Sequence, residues 1–213
     1  MNVFVSVGST SSPGQEEFVR AVEDRLRAEG LVPQTVGRNV FSADSPFIAV
    51  TRLMESCSGV VVIALERLYI ENGMEKRGGK SQAPIGSVKV ATPWNHIEAT
   101  MGYVRKLPLL VLVEEGVRTD GLLEKGLDWY VQTITLDPSS LTSSTFNGVL
   151  ASWKQKMSTP AQKPISSLGM PSEMTVAQLL GALKPAQLWS TLGALAVAIA
   201  GAFALGAKLF PLG

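Results

Sequence analysis

The apolar run GVVVIAL, at residues 59–65, constrains the fold of this chain more than any other feature of its sequence. β-Branched residues follow one another there without the polar alternation that marks a strand with one face in water. A second run, LPLLVLVEEGV at residues 107–117, has the same character. Strands buried on both faces are typical of the centre of a parallel sheet that helices cover on both sides. The two runs therefore predict such a sheet.

Weaker strand signals and amphipathic segments alternate with these two runs. Strands are predicted at NVFVSVG, LVPQTV and VQTITLD, and helices at residues 15–29, 46–57, 93–104 and 140–157. Five strands that alternate with helices predict an α/β fold, a three-layer sandwich around a five-stranded, mainly parallel sheet. Ligands of such folds bind beyond the carboxyl ends of the strands. The loops expected at that edge span residues 8–14, 38–45, 66–93 and 114–121.

The chain changes character after the predicted α/β domain, which covers residues 1–157. Residues 158–185 are rich in Pro, Ser and Gln and predict a linker with a short helix. Residues 186–207 carry no charge, and as a helix they would extend over about 33 Å, close to the roughly 30 Å hydrocarbon core of a bilayer. We therefore expect a membrane helix over residues 186–208, with the lipid bilayer as its partner. A buried C-terminal helix is the alternative interpretation.

The surroundings of this segment predict its orientation and its association. More basic residues precede it than follow it, and the first residues resemble a strand more than a signal peptide. These features favour a single-pass protein whose N-terminal domain lies in the cytoplasm. Small residues that recur four apart permit close packing between helices in lipid, so a homo-oligomer is expected; they are Ala194, Ala198, Ala202 and Gly206.

The composition argues against several classes of function. The formal net charge is +1 at pH 7, so nucleic acid is not expected as the main partner. Cys57 and His96 are the single cysteine and the single histidine, too few for a structural zinc site. We expect no metal site and no resident cofactor.

The stretch TPWNHIEATMGYV, at residues 92–104, holds the most distinctive cluster of side chains. Thr92 is a good N-cap and Pro93 a good first helical residue. An apolar stripe is expected on one side of this helix, formed by Trp94, Ile97, Met101 and Val104. Glu98 would lie about 40° from Trp94, at the margin of that stripe, with Gly102 leaving space beside it. Helical geometry alone leaves Glu98 either a solvated edge residue or a partly desolvated acid with a raised pKa. His96 is expected at the surface, outside any mechanism.

The segment VGSTSSPGQ, at residues 7–15, joins the first strand to the first helix. Gly8, Ser9 and Thr10 offer backbone N–H groups and hydroxyls next to a helix N-terminus, an arrangement that suits a phosphate or ribose hydroxyls. The same residues are also common in ordinary turns. They are therefore candidate substrate-binding residues.

The order of elements and the stretch WNHIE resemble the TIR domain, whose enzymatic members carry a W-x-x-x-E pattern on the helix after the third strand. The fold is also similar to that of nucleoside 2-deoxyribosyltransferases. The resemblance covers residues 1–157 and implies that Glu98 is the catalytic residue and that Trp94 forms a wall of the pocket. It also implies cleavage of the nicotinamide–ribose bond of NAD, with NAD as a substrate and not a cofactor. The long segment at residues 71–91 departs from the family, and its Lys76, Arg77 and Lys80 are expected to form a polar loop that could cover a phosphate.

One carboxylate is enough for this chemistry, because a cationic nicotinamide leaves without a general acid and an anion stabilises the oxocarbenium-like transition state. Together with the expected membrane helix, the resemblance therefore implies a membrane-tethered hydrolase of NAD or a related nucleotide or nucleoside, and a bacterial defence effector. One alternative is a non-catalytic sensor of nucleotides or proteins that oligomerises and acts through its membrane helix. Another is a nucleoside deoxyribosyltransferase.

Overall fold

The computed structural model describes residues 1–126 and 128–158. In chain order the elements are β1 (Asn2–Val7), α1 (Pro13–Ala28), β2 (Val32–Gln34), α2 (Pro46–Glu55), β3 (Val60–Ala64), β4 (Leu68–Ile70), β5 (Gly73–Glu75), β6 (Ala83–Ile85), β7 (Val88–Val90), α3 (Pro93–Val104), β8 (Leu109–Glu114), β9 (Tyr130–Ile134) and α4 (Ser144–Ser158). Short 3-10 helices lie at Gly121–Leu123 and Pro138–Thr142.

A five-stranded sheet forms the centre of the domain, with the strand order β2-β1-β3-β8-β9. Each adjacent pair of these strands is parallel. Strands β3 and β8, which correspond to the two apolar runs, lie next to each other, and every residue in both is buried. The predicted α/β fold with a five-stranded parallel sheet is confirmed. The order reverses between β1 and β3, which is where folds of this kind bind ligands.

Helices cover both faces of the sheet and create two hydrophobic cores. On one face, α1 and α4 bury Phe18, Val22, Leu26, Phe146, Leu150 and Trp153. On the other face, α2 and α3 bury Val50, Met54, Ala99 and Met101. Neighbouring residues of β3 alternate between these cores, since Val61 belongs to the first and Val62 to the second. This alternation explains why the run is apolar throughout.

The helix boundaries follow local capping chemistry. Helix α1 begins at Pro13, earlier than the predicted residue 15, because the Ser12 hydroxyl accepts a hydrogen bond from the Gln15 amide at 3.2 Å. Helix α2 begins at Pro46 as predicted, although the Ser45 side chain makes no capping hydrogen bond. Helix α4 begins later than the predicted residue 140, because Pro138–Thr142 forms a separate 3-10 helix.

The segment at residues 71–91 is not the loop that its composition predicted. Strand β4 pairs with β7 and strand β5 pairs with β6, so the segment between β3 and α3 folds into two antiparallel ribbons. Each of these strands is three residues long, which is too short to produce a periodic signal in the sequence. Lys89 lies 3.1 Å from Glu114 and the Arg118 guanidinium lies 2.6 Å from Glu75, so ion pairs connect one ribbon to the end of β8 and the other to the loop that follows β8.

Among the described residues, no helix is both long enough and apolar enough to cross a membrane. The predicted linker from residue 159 onward and the predicted membrane helix over residues 186–208 lie outside the described residues.

Candidate active site

Helix α3 packs against β1, β3 and β8, with its first turn at the carboxyl ends of β1 and β3 and its last turn near the amino ends of β3 and β8. Its start is as predicted: the Thr92 hydroxyl accepts a hydrogen bond from the Trp94 amide at 3.4 Å, and Pro93 is the first helical residue. Gly102 lets the helix approach the strands closely, because a Cβ atom there would lie 2.7 Å from Val60 Cγ2. The space beside Gly102 is thus filled by the sheet, in contrast to the expected gap next to Glu98.

The face that α3 turns to the sheet differs from the predicted stripe. Its buried residues are Asn95, Ala99, Met101 and Gly102, while Trp94 and Ile97 are each 40% exposed and Val104 is 72% exposed. Met101 is the one member of the predicted stripe that is buried, and the prediction was wrong for the others because it followed the largest apolar side chains. The close contact with the strands selects small residues, and Asn95 is buried because its amide finds hydrogen-bond partners there. Glu98, one turn after Asn95, is partly buried on this same side.

Asn95 attaches α3 to the ends of two central strands. Its Nδ2 donates to Ser6 Oγ at 3.0 Å, to the Ser6 carbonyl at 3.3 Å and to the Ile63 carbonyl at 3.4 Å. Asn95 is 1% exposed and Ser6 is fully buried. The sequence interpretation missed both residues. Two features of the sequence could have indicated them. Ser6 is an isolated hydroxyl within the apolar run NVFVSV, and Asn95 stands three residues before Glu98, hence on the same side of a helix.

The surroundings of Glu98 move its pKa close to neutral pH. Burial raises the pKa of Glu98 to about 7, and a hydrogen bond from the Ser6 side chain opposes this rise but has the smaller effect. Among the described residues, no basic side chain forms an ion pair with Glu98. A desolvated carboxyl group without a counter-ion is costly for stability and common at functional sites.

Glu98 lines a cleft of about 390 Å³ at the carboxyl edge of the sheet, the edge expected for a ligand. The other lining residues are Val7, Gly8, Ser9, Val36, Gly37, Pro46, Val50, Arg67, Thr92 and Trp94. Gly8 lets the loop after β1 pack tightly against Thr92, since a Cβ atom at Gly8 would lie 3.0 Å from Thr92 Cγ2. The cleft thus brings together Glu98, Trp94, Gly8 and Ser9 among the predicted site residues.

A larger cavity of about 520 Å³ lies beside Pro108 and Leu109, at the amino end of β8. It is therefore at the opposite edge of the sheet from the cleft. Tyr103 and Trp129 line it, and their rings meet edge to face with centroids 5.2 Å apart. We assign the candidate active site to the smaller cleft, because that cleft lies at the carboxyl edge of the sheet and contains the acid with the raised pKa.

Arg67 adds a positive charge that the sequence interpretation did not identify. It follows β3, lines the cleft, and its guanidinium donates a hydrogen bond to the Ser9 hydroxyl. Among the described residues it forms no ion pair with a carboxylate. A guanidinium without a carboxylate partner, beside a hydroxyl and Gly8, is a suitable arrangement for binding a phosphate.

Thr10 lies outside the cleft, in contrast to its predicted role. Its hydroxyl donates to Glu16 at 3.0 Å, and Arg38 also contacts that carboxylate at 2.9 Å. Hydrogen bonds from Arg38, Arg20 and Thr10 together lower the pKa of Glu16 to about 2. Thr10 therefore belongs to a network of charges around the start of α1.

The remaining candidates also lie away from the cleft. His96 does not line it and faces Gly121. Lys76, Arg77 and Lys80, which were expected to cover a phosphate, lie at the exposed turn between β5 and β6 and do not line the cleft either. Within residues 1–126 and 128–158, no group of three or more His, Cys, Asp or Glu side chains could hold a metal ion.

No family model matches the chain, and no curated protein matches it at a significant level. Among solved structures, the chain is similar to a CMP N-glycosidase from Clostridium botulinum, BcmB, with a TM-score of 0.41 and 13% sequence identity. The alignment covers 65% of this chain and 92% of that chain. A similarity of this degree is too low to transfer a function from one protein to the other. The fold and the cleft define an α/β domain with a parallel sheet and a candidate ligand site at its carboxyl edge.

Proposed function

We propose that this domain hydrolyses the N-glycosidic bond of a nucleotide and that Glu98 is its catalytic carboxylate. The observation that carries the proposal is the position of Glu98, desolvated and without an ionic partner in a cleft at the carboxyl edge of a parallel sheet. A carboxylate in such surroundings interacts strongly with a positive charge that develops next to it.

The proposed reaction needs one carboxylate and one water molecule. The C1′–N bond breaks, its electron pair passes to the base, and positive charge develops on C1′ and the ring oxygen. Glu98 stabilises this charge as an anion, or bonds to C1′ for a short time as a nucleophile. Water then bonds to C1′ and loses a proton, which passes to the departing base when that base leaves as an anion, and otherwise to solvent. With its pKa near 7, Glu98 can also accept that proton.

Arg67 and Ser9 support a phosphorylated substrate. They lie on two different loops of the same cleft and are hydrogen-bonded to each other, so an incoming phosphate would meet a guanidinium and a hydroxyl together. The cleft volume of about 390 Å³ is within the range of small-molecule sites. NAD as the particular substrate rests on the resemblance of the stretch WNHIE to the TIR pattern, and Trp94 in the wall of the cleft agrees with that proposal.

The test is to incubate the purified full chain with NAD, with nucleoside monophosphates and with nucleosides, and to measure the free base released by chromatography. We expect release from at least one nucleotide, and a loss of at least 100-fold in Glu98→Gln. Glu55→Gln is the matched control, because Glu55 is an exposed carboxyl group at the end of α2. Wild-type cleavage by Glu98→Gln would overturn the proposal.

Adding a second free base to the reaction distinguishes a hydrolase from a nucleoside deoxyribosyltransferase. A hydrolase gives a free sugar product, whereas a deoxyribosyltransferase gives a new nucleoside carrying the added base. Binding of a nucleotide with no turnover would instead favour a sensor.

The membrane helix over residues 186–208, the orientation that places the N-terminal domain in the cytoplasm and the homo-oligomer remain parts of this proposal, and they depend on the sequence alone. Protection of an epitope at residue 213 from protease added to intact cells would contradict that orientation.

A further inference from the structure

We propose that Gln15 is a positioning residue that joins the loop after β1 to the loop after β3 and thereby fixes the spacing between Ser9 and Arg67. Ser9 lies in the first of these loops and Arg67 in the second. Their side chains are hydrogen-bonded to each other at the cleft. The inference rests on the proposed function in one respect, because it takes Ser9 and Arg67 as the site of the substrate phosphate.

The orientation of the Gln15 amide follows from its partners. Its Oε1 lies 2.8 Å from the Ser11 backbone nitrogen, which can only donate, and the Ser11 hydroxyl donates to the same oxygen at 2.9 Å. Its Nε2 lies 3.0 Å from the Glu66 carbonyl oxygen, which can only accept, and 3.3 Å from Glu114 Oε2. The oxygen of the amide therefore holds the loop after β1, and the nitrogen holds the loop after β3.

Glu114, the last residue of β8, completes the attachment of the loop after β3. Its Oε2 accepts a hydrogen bond from the Glu66 backbone nitrogen at 2.8 Å, in addition to the one from Gln15. Both backbone polar groups of Glu66 are thus bonded, directly before Arg67 in the chain. The Arg67 backbone nitrogen in turn donates to the Val90 carbonyl at 2.9 Å. The backbone that carries the Arg67 side chain is therefore held at three consecutive groups.

Helix capping alone does not explain a glutamine at position 15. Ser12 is the N-cap of α1 and Gln15 is the third helical residue, where a Glu or Gln side chain commonly reaches back to the start of the helix. Glutamate would supply the same acceptor oxygen and would suit the positive end of the helix dipole better. Only glutamine adds the N–H donors that reach Glu66 and Glu114. Gln15 is 3% exposed, so these bonds are shielded from water.

The two acids of this cluster leave the charge of Arg67 available to a ligand. Lys89 lies 3.1 Å from Glu66 and 3.1 Å from Glu114, so it pairs with both carboxylates. Arg67 forms no ion pair among the described residues, and its guanidinium bonds to Ser9 instead. A phosphate would thus meet a guanidinium and a hydroxyl whose separation is already fixed, which reduces the entropy lost on binding.

The experiment measures the binding of inorganic phosphate by NMR in the ¹⁵N-labelled full chain, by following the side-chain Nε–H signal of Arg67. Arg67→Lys identifies that signal. We expect a saturable shift in the wild type and a Kd about 3- to 10-fold higher in Gln15→Met, which removes all the amide hydrogen bonds at nearly the same volume. Gln15→Glu should also raise the Kd, because it keeps the capping oxygen but loses the donors and places a second carboxylate beside Glu114.

Trp153→Phe is the matched control for a general loss of stability. The Trp153 indole donates to the Pro108 carbonyl at 2.9 Å, in the core near the amino end of β8. Its loss should lower the free energy of unfolding, measured with denaturant, and leave the phosphate Kd unchanged. An unchanged Kd in folded Gln15→Met would overturn the positioning role, as would an equal rise in Trp153→Phe. If Gln15→Met does not fold, Gln15→Glu decides in its place, and wild-type binding there overturns the role as well.

The outcomes for Gln15 and for the proposed function can be separated. Weaker phosphate binding in Gln15→Met, together with no cleavage of any nucleotide by the wild type, would support the positioning role and contradict the hydrolase. Cleavage that depends on Glu98, with phosphate binding that does not respond to Gln15, would support the hydrolase and contradict the positioning role. No shift of the Arg67 signal in the wild type would overturn the positioning role whether or not nucleosides are cleaved.

If both proposals hold, the KM values of Gln15→Met provide a further check. The ratio of KM for a nucleotide to KM for the matching nucleoside should rise by the same factor as the phosphate Kd. A ratio equal to that of the wild type would contradict the positioning role, because a merely structural change has no reason to distinguish the two substrates.

Discussion

Asn95 Nδ2 lies 3.0 Å from Ser6 Oγ, and this hydrogen bond joins helix α3 to the carboxyl end of strand β1 across 89 residues of chain. One turn further along the same side of α3 lies Glu98, whose carboxyl group faces the cleft. The position of the candidate catalytic acid is therefore determined by a contact between the first strand and the third helix.

The pH dependence of cleavage should report the ionisation of Glu98. Because the proposed role requires the carboxylate, kcat/KM should rise with pH and reach a plateau above about pH 7, the pKa to which burial raises Glu98 in the protein without substrate. Steady-state rates between pH 5 and pH 9 would test this. Activity that is highest at pH 5 would instead assign Glu98 the role of a proton donor.

Folding stability should fall as Glu98 ionises. The pKa of Glu98 is about 7 in the folded state, against 4.5 for a glutamate in water, so the folded state keeps the proton to higher pH than the unfolded chain does. The free energy of unfolding should therefore decrease between about pH 4.5 and pH 7, by up to about 3 kcal/mol. Glu98→Gln should remove this decrease, as measured by denaturant unfolding at pH 5 and pH 8. Glu55→Gln should retain it.

Removal of the Arg67 guanidinium should weaken the binding of phosphorylated substrates and have little effect on unphosphorylated ones. Arg67→Ala should raise KM for a nucleotide by about 10- to 100-fold, the effect of losing a charge-assisted hydrogen bond, and should change KM for the matching nucleoside little. Arg27, which pairs with Glu23 and Asp24 on α1, supplies the control Arg27→Ala. Equal effects of Arg67→Ala on both substrates would contradict a phosphate-binding role.

Close packing of α3 should make Gly102 intolerant of a side chain. In Gly102→Ala the added Cβ would lie 2.7 Å from Val60 Cγ2 and 3.1 Å from Leu109 Cδ2, so the helix must move away from the sheet. We expect a loss of about 1–3 kcal/mol in the free energy of unfolding, measured by chemical denaturation. Gly148→Ala in α4 is the control, because no atom lies within 4 Å of its added Cβ. That control should be neutral or more stable by up to about 1 kcal/mol.

Trp94 should report ligand binding through its fluorescence. It lines the cleft and is 40% exposed, so a base that stacks on it should change its emission. The change on addition of a nucleotide should disappear in Trp94→Phe and persist in Trp129→Phe, since Trp129 lines the cavity at the opposite edge. A signal that survives in Trp94→Phe would place the ligand elsewhere.

Much of the fold could be predicted because it follows from interactions between residues that are close in the sequence. The apolar run that became β3 must be buried on both faces wherever it lies, and Thr92 with Pro93 starts a helix through contacts within a few residues. The same local logic placed Gly8 and Ser9 at the carboxyl edge, since loops that follow parallel strands meet there, whereas the roles of Glu98 and Trp94 were predicted from the resemblance to the TIR pattern. Thr10 shares that loop but faces Glu16, which no local rule predicted.

The sequence by itself determined the parallel α/β sheet, the start of α3 and the edge at which the candidate site lies, because hydrophobic burial and helix capping act through neighbouring residues. Only the tertiary structure decided which side of α3 meets the sheet. Close contact with Val60 and Leu109 requires a glycine at position 102, and hydrogen bonds from the buried Asn95 amide to Ser6 and Ile63 hold the first turn of α3 against the strands. These contacts turn Trp94 partly toward solvent and bury Glu98, which raises its pKa, because desolvation depends on every element that surrounds a group and not on its place in the chain.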